Sequence, residues 1–486
     1  MTDALPCFVV VGNVNQGKSS VVSALTEDEA VPIDSYPGTT KRSAEYVFRT
    51  GERPLFRIVD TPGFQRARHV LARLSARAGN AAGRTAALRA FVADPAMRAE
   101  FPDEVELLTP ILSGACILYV VDASSPVEPA NEAEMEILRW TGQPAMALLN
   151  RVRARDHGEA WRPVLRQFFH IVREFDAHRA RAADRVALLR GFREIRPEWS
   201  ESIDAVVNAM EREGSERCHR SASVIADLLV EALAHVVRRP FPEGSDETAL
   251  RAELDRAHRD AQRRFECVAR DAIEGIHRHP GLTREDPDLE ILQDDLFGDT
   301  TWKLFGLSRW QLLRYGAIAG AATGGALDLV TAGHTFMLGT ALGAGAGATL
   351  GWFMGPQVAS TFGNSSKLAR ALFPFDTGRF LALGPVTSQR YAWVLVDRAL
   401  VHYRAVRDRS HARRDALDLA NQEPHAGVAG AAGIAAQLPR SLRDPLDAAL
   451  RRVMKDAQRL GVPGPDARRD LEAGLEAVLR QVPPRG

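Results

Sequence analysis

Gly12-Asn13-Val14-Asn15-Gln16-Gly17-Lys18-Ser19-Ser20 follows directly on the apolar, β-branched run Cys7 to Val11. The run reads as a buried strand, and Ser20 to Leu25 reads as the first turns of a helix. Between them stands the pattern GxxxxGK[ST]. Its physics is specific: the glycines let main-chain amides converge at a helix N-terminus, a lysine neutralises phosphate oxygens, and a hydroxyl can meet a divalent cation. A strand before and a helix after are what that chemistry demands. Gly12, Asn13, Asn15, Gln16, Gly17, Lys18, Ser19 and Ser20 are therefore the candidate phosphate-binding residues, with Ser19 also a candidate Mg²⁺ ligand.

Working outward, Arg57 to Val59 ends a second strand at Asp60, Ile117 to Val121 a third at Asp122, and Met146 to Leu149 a fourth at Asn150. Apolar strands alternating with helix-length segments predict an α/β domain with a mostly parallel sheet and helices on both faces. Ligands bind at the carboxyl ends of such strands. Asp60-Thr61-Pro62-Gly63 lies at one of these ends, where the aspartate suits a Mg²⁺ ligand and the Gly63 amide can approach a terminal phosphate. Pro37-Gly38-Thr39-Thr40 lies between the two motifs in a stretch with turn chemistry. A hydroxyl there reaches Mg²⁺ only when a terminal phosphate orders the loop, which makes a switch.

NxNxGKSS, PGTT and DTPG, in this order, resemble the TrmE–Era–EngA–septin-like superfamily of GTPases, over roughly residues 5 to 180. The whole chain also resembles a bacterial family of GTPase-domain proteins with a long C-terminal domain of unknown function. The resemblance implies GTP and GDP as ligands and slow intrinsic GTP hydrolysis. It puts Lys18 and Ser19 at phosphate and Mg²⁺, Thr40 as the switch ligand and Asp60 on the metal side, so that Lys18 and Thr40 are the expected catalytic residues. An asparagine stands at Asn15 as in relatives that use a potassium ion, so K⁺ joins Mg²⁺ as an expected cofactor. Two departures stand out. Phe64 follows DTPG where Ras-like enzymes place a water-orienting glutamine. The guanine-reading motif NKxD is replaced by Asn150-Arg151-Val152-Arg153. Arg151 can stack on a base as the lysine does, but the Arg153 side chain cannot accept a hydrogen bond, and Asp156 substitutes only if the loop rearranges.

The rest of the chain sets the domain plan. At 486 residues it is too long for one core. We expect a P-loop GTPase domain over 1–181 with a helical insertion at about 64–112, a helical region over 182–314, a glycine-rich apolar helical hairpin over 315–355, and a mainly helical region over 356–486. Within the insertion, Arg66 to Ala78 and Arg84 to Val92 look helical. Leu250, Leu254, Ala257, Ala261, Phe265, Val268 and Ile273 repeat at mostly helical spacing, and Arg238 to Gly244 makes a joint. Asp444 to Val482 holds two shorter helices parted at Gly461 to Pro465.

Glycine recurs every fourth residue at Gly316, Gly320 and Gly324 and again from Gly339 to Gly351, which keeps a helix face bare for close approach. Tyr315 to Gly355 then reads either as a hairpin dipping into a bilayer, with positive charge at both flanks, or as an alanine- and glycine-rich helix pair in a soluble core. Tyr391 to Arg414 is an amphipathic, increasingly basic helix candidate, whose run Arg404 to Arg414 is a solvated face by default. His277 and His279 offer metal-ligand chemistry, but two apart on a helix they point to different faces and are expected in solvent.

Lysine plus arginine number 62 and aspartate plus glutamate also 62. This neutrality supplies no global field for nucleic acid, which makes it the less favoured partner beside a membrane surface and an unidentified protein. The four cysteines are scattered and fit a reducing compartment. The N-terminus shows no secretory signal pattern. A cytoplasmic location is expected, peripheral to or hairpin-inserted in the inner membrane. The leading functional expectation is a GTP-driven switch. Two alternatives stand beside it: a ribosome- or RNA-associated assembly GTPase, and a nucleotide-binding scaffold with little hydrolysis.

Overall fold

The computed structural model describes residues 5–13, 15–31, 43–50, 53–151, 157–240, 246–285, 350–351, 380–418 and 433–484. The switch threonines Thr39 and Thr40, Val14, residues 152–156 and nearly all of the glycine-rich segment lie outside them. Two compact units emerge, one formed by residues 1–215 with 408–414 and the other by 216–407 with 415–486.

The first unit is built on a six-stranded sheet. Its strands are β1 (Cys7–Val11), β2 (Ala44–Thr50), β3 (Arg53–Asp60), β4 (Cys116–Asp122), β5 (Ala145–Asn150) and β6 (Ile171–Glu174), in the order β2-β3-β1-β4-β5-β6. All neighbours are parallel except β2, which pairs antiparallel with β3. Two strands went unread in the sequence. Among the described side chains of β2 only Phe48 is buried, and β6 is four residues long, so neither shows the continuous apolar run of a central strand.

Period-two alternation gives each central strand two buried faces. Val9, Val11, Ile117, Tyr119, Ala147 and Leu149 face one cluster, while Phe8, Val10, Leu118, Val120, Met146 and Leu148 face the other. The second cluster is covered by α1 (Lys18–Thr26), α8 (Ala182–Ile195) and the early turns of α9 (Ser200–Ala234). The first is covered by α5 (Pro102–Leu112), α6 (Pro129–Trp140), α7 (Gly158–Phe168) and the added helices α2 (Ala67–Ala78), α3 (Arg84–Ala93) and α4 (Pro95–Glu100). The added helices are anchored by Val70, Leu74, Leu88, Phe91 and Met97, all buried. α8 is also pinned electrostatically, since Arg185 pairs with Glu27 at 2.5 Å and donates to the Ala24 carbonyl.

The second unit is mainly helical. The later turns of α9, α10 (Glu247–Ile276), α11 (Gln389–Arg407), α12 (Ile434–Gln437), α13 (Arg440–Leu460) and α14 (Pro465–Gln481) share one core. Strand β7 (Val237–Pro240) pairs antiparallel with β10 (Phe380–Leu383), whose other edge takes β9 (Leu350–Gly351); β8 (Arg284–Glu285) pairs with β11 (Leu417–Asp418). A buried ion pair joins α10 to α11. Arg398 donates to both carboxylate oxygens of Glu266, at 2.9 and 2.7 Å. Burial pushes the Glu266 carboxyl up, but Arg398 and then Arg270 outweigh it and hold the pKa below the ordinary glutamate value.

Several expectations are corrected here. Val268, read as part of the apolar stripe of α10, is 68% exposed. Leu350 and Gly351 pair as a strand rather than continuing a helical limb, because the edge of β10 supplies main-chain partners. The helix placed over Tyr391 to Arg414 ends at Arg407, and the basic run beyond it is solvated only in part, with Arg414 exposed. Arg409, Ser410 and His411 are buried; the Ser410 hydroxyl donates to the Ala177 carbonyl and the Ser23 hydroxyl to the His411 carbonyl. His277 and His279 are buried too. Helical spacing does not govern them, since α10 ends at Ile276 and Arg278 turns the chain with φ +64°. Leu475 is fully buried between α13 and α14. Leu475→Ala is therefore expected to destabilise the second unit by about 2–5 kcal/mol, read as a lowered urea midpoint. A loss below about 1 kcal/mol would mean that this helix pair is not close-packed.

Candidate functional site

The candidate residues converge where β1, β3, β4 and β5 end. Gly12 leaves β1 with φ +148°, and a Cβ there would stand 2.3 Å from the Val120 carbonyl oxygen, so only glycine lets the loop cross β4. Asn15 and Gly17 both have positive φ, 63° and 81°. Gly17 caps α1 without any side-chain acceptor, and no acidic residue occupies the first turn of that helix. Neither the cap residue nor the first turn of α1 thus supplies a carboxylate to the leading amides, which favours an anion there.

Lys18 is 8% exposed, and its ammonium donates to the Asn13 carbonyl across the loop at 2.9 Å. Burial lowers its pKa, while Asp60 and Glu134 act in the opposite direction. The Ser19 hydroxyl donates to Asp60 Oδ2 at 2.8 Å, which brings two hard oxygen donors together at the ends of α1 and β3. Ser20 is buried beside them. The loop is also fastened to the DTPG strand end: Phe64 N–H donates to the Gly12 carbonyl at 3.3 Å, Asn13 and Phe64 form a parallel bridge, and Thr61 Oγ1 donates to the Val10 carbonyl at 2.8 Å. Gly63 is buried within this junction. Phe64 is 2% exposed and belongs to the core under the added helices, so its side chain is a packing group.

Asn150 closes the arrangement on the far side. Its amide nitrogen donates to the Gln16 carbonyl at 3.1 Å, and its amide oxygen accepts from Ala177 N–H at 3.1 Å. The Gln16 side chain accepts from the backbone N–H of Asp122. Sequence reading missed Ala177; the signal was a loop following a fifth parallel strand, hidden because β6 is so short. Arg151, Leu149, Phe175, Asp176 and Arg179 line a cleft at the carboxyl ends of β5 and β6. The structure thus brings Gly12, Asn13, Asn15, Gln16, Gly17, Lys18, Ser19, Ser20, Asp60, Gly63 and Asn150 into one constellation, with Arg151 at its margin. Thr40 lies outside the described residues, as do Arg153 and Asp156.

One buried carboxylate near the loop was not anticipated. Glu134 on α6 is 1% exposed and accepts from the Tyr119 hydroxyl at 2.8 Å. Burial pushes its pKa up to about 7, against the Tyr119 hydrogen bond and the Lys18 charge, which pull it down.

Among known proteins, residues 162–474 match the profile of the family described as "Domain of unknown function (DUF3482)", and residues 7–151 match the one described as "50S ribosome-binding GTPase". The GTPase Era of Acidimicrobium ferrooxidans is 44% identical over 54 residues, 11% of this chain and 18% of that protein. The tRNA modification GTPase MnmE of Heliobacterium modesticaldum is 33% identical over 143 residues, 29% of this chain and 24% of that protein. The chain thus spans less than a quarter of the length of these two relatives. A solved structure of Aquifex aeolicus Era bound to GDP and tetrafluoroaluminate aligns at 15% identity, covering 39% of this chain and 56% of that one with a TM-score of 0.26.

The environment of Glu134 yields a pH prediction. Its folded pKa of about 7 lies above the ordinary 4.5, so the stability linked to its proton is fully present below about pH 4.5 and is lost as pH rises through about 7. The nucleotide-free Glu134→Gln protein should melt above wild type at pH 8, by up to about 3 kcal/mol of stability, and should show no gain at pH 4.5. Parallel melting curves for the two proteins across that range would remove Glu134 as a buried, neutral-leaning acid.

Proposed function

The chain belongs to the family defined by the DUF3482 domain, with a P-loop GTPase domain ahead of it, and from that premise we propose that it binds GTP and hydrolyses it slowly as a molecular switch. The observation that carries the reading is the opening of α1. Its uncapped amides stand beside Lys18 and beside the Ser19–Asp60 pair, all at the carboxyl ends of a parallel sheet. Lys18, now on the Asn13 carbonyl, exchanges that acceptor for the β- and γ-phosphates. The Gly63 amide approaches the γ-phosphate. Ser19 and Asp60, with Thr40 from the switch segment, are suited by their oxygen donors to hold Mg²⁺, which when bound neutralises charge on the β- and γ-oxygens. Asn15, with its positive φ, offers the side chain for a potassium ion.

Turnover is slow in this reading because Phe64 is committed to the core and offers nothing to orient a water. Guanine lies in the cleft beside Arg151, at the loop that Asn150 ties to Ala177. With arginine at 153 in place of the usual acceptor, discrimination against adenine is weaker than in a protein with an intact NKxD motif.

The glycine pattern of 315–355 supports the cytoplasmic face of a membrane as the place of action. No helix among the described residues is long and apolar enough to cross a bilayer, so this part of the proposal rests on that segment alone. Flotation of the full-length chain with liposomes tests it, with Gly343→Lys as the control that should lower recovery with the vesicles, since a charge near the bilayer centre costs roughly 2.5–3.5 kcal/mol. Co-sedimentation with ribosomes and no flotation would favour the assembly-factor reading.

Lys18→Ala is expected to lose triphosphate binding or hydrolysis while keeping its far-ultraviolet circular dichroism. Wild-type affinity and turnover in that folded variant would end the phosphate-loop assignment. Affinities should rank GTP above ATP, with the missing acceptor costing about 1 kcal/mol or more of discrimination. Equal or tighter ATP binding removes guanine from the proposal.

A further inference from the structure

Helix α5 touches the flanks of both switch segments through two carboxylates. Glu104 is 1% exposed, and its Oε1 accepts from the backbone N–H of Gln65 at 3.0 Å and of Arg66 at 2.6 Å, the two residues that follow Phe64. Two positions further along, Glu106 Oε1 accepts from the backbone N–H of Ser43 at 3.0 Å, immediately after the segment that carries Thr39 and Thr40. The same junction is braced from the side, where the Arg66 guanidinium lies 4.5 Å over the ring of Phe101 and Phe101 packs 5.8 Å from Phe91 of α3.

A local cap does not explain Glu104. A helix start such as that of α2 is ordinarily satisfied by a serine, threonine or aspartate at its own N-cap, yet Arg66 occupies the cap of α2 and contributes no side-chain bond. Such a cap would reach N–H groups inside the first turn; the amides of Arg66 itself and of Gln65 before it are answered by a carboxylate 38 and 39 residues away in sequence. Removing a carboxylate from water is costly unless its oxygens are bonded. What this arrangement achieves, and a local cap would not, is a fixed position of the chain after Gly63 relative to a helix that also holds Ser43.

We infer that Glu104 is a positioning residue for hydrolysis: it sets the backbone that leads away from Gly63 at the γ-phosphate, and through Glu106 the same helix constrains the segment behind the switch threonines. The inference rests on the GTPase reading.

The test uses the full-length chain and separates binding from chemistry. Fluorescent GDP reports affinity, and single-turnover GTP hydrolysis at saturation reports the rate. Glu104→Ala should hydrolyse about tenfold or more slowly, with GDP affinity within about threefold of wild type; Glu104→Gln, whose amide oxygen can accept the same two N–H groups, should stay within about threefold in both. Equal hydrolysis by Glu104→Ala and wild type overturns the inference, as does equal impairment of the alanine and glutamine variants, or a fall in GDP affinity that matches the fall in rate. Should Glu104→Ala not fold, hydrogen exchange of the wild-type chain decides. The amides of Gln65 and Arg66 should be protected with a GTP analogue bound, and exchange at open-chain rates overturns the inference. A wild-type chain that binds or hydrolyses no GTP defeats the GTPase reading and takes this inference with it, an outcome visible before any variant is made.

Discussion

The side chain of Asn150 is the constraint on which the first unit depends. Its one amide donates to the phosphate loop at Gln16 and accepts from the loop after β6 at Ala177. Both ends of this clamp are main-chain groups, so it fixes backbones rather than side chains. The strand end that presents Asn150 is positioned by parallel pairing of Asp122 with Asn150 in register and of Val10 with Asp60 two strands away. Any shift of β5 against β4 would move the loop that holds Lys18. The geometry of the candidate site is therefore a property of sheet register.

The sequence was legible where chemistry and backbone agree. Gly12 and Gly17 are demanded both by the loop's conformation and by phosphate approach, and they sit between an apolar strand and a helix, so one motif located three elements. Asp60 and Asn150 were legible because each ends an apolar run. β2 and β6 were not, since their burial is partial or brief and the pattern that marks a strand is the burial itself. Ala177 escaped for a related reason: it contributes an N–H, and a main-chain donor leaves no trace in residue type.

The charged residues of the later chain show the opposite failure. Arg409, His411, His277 and His279 looked like solvent-facing polar groups and are buried. The assumption of a helix running through each set caused the error. Both helices stop earlier, at Arg407 and Ile276, and an irregular chain can turn consecutive polar residues inward toward carbonyl partners, as Ser410 demonstrates. Composition alone fixes how many charges a chain carries but not where its helices end, and that decides which charges meet water.

The Glu266–Arg398 pair and the β7–β10 ladder share a topological role. Each joins a residue before position 285 to one at position 380 or beyond, so the described chain on either side of residues 286–379 is cross-linked in the same unit. A cleavage between residues 286 and 349 would therefore leave both of these links in place.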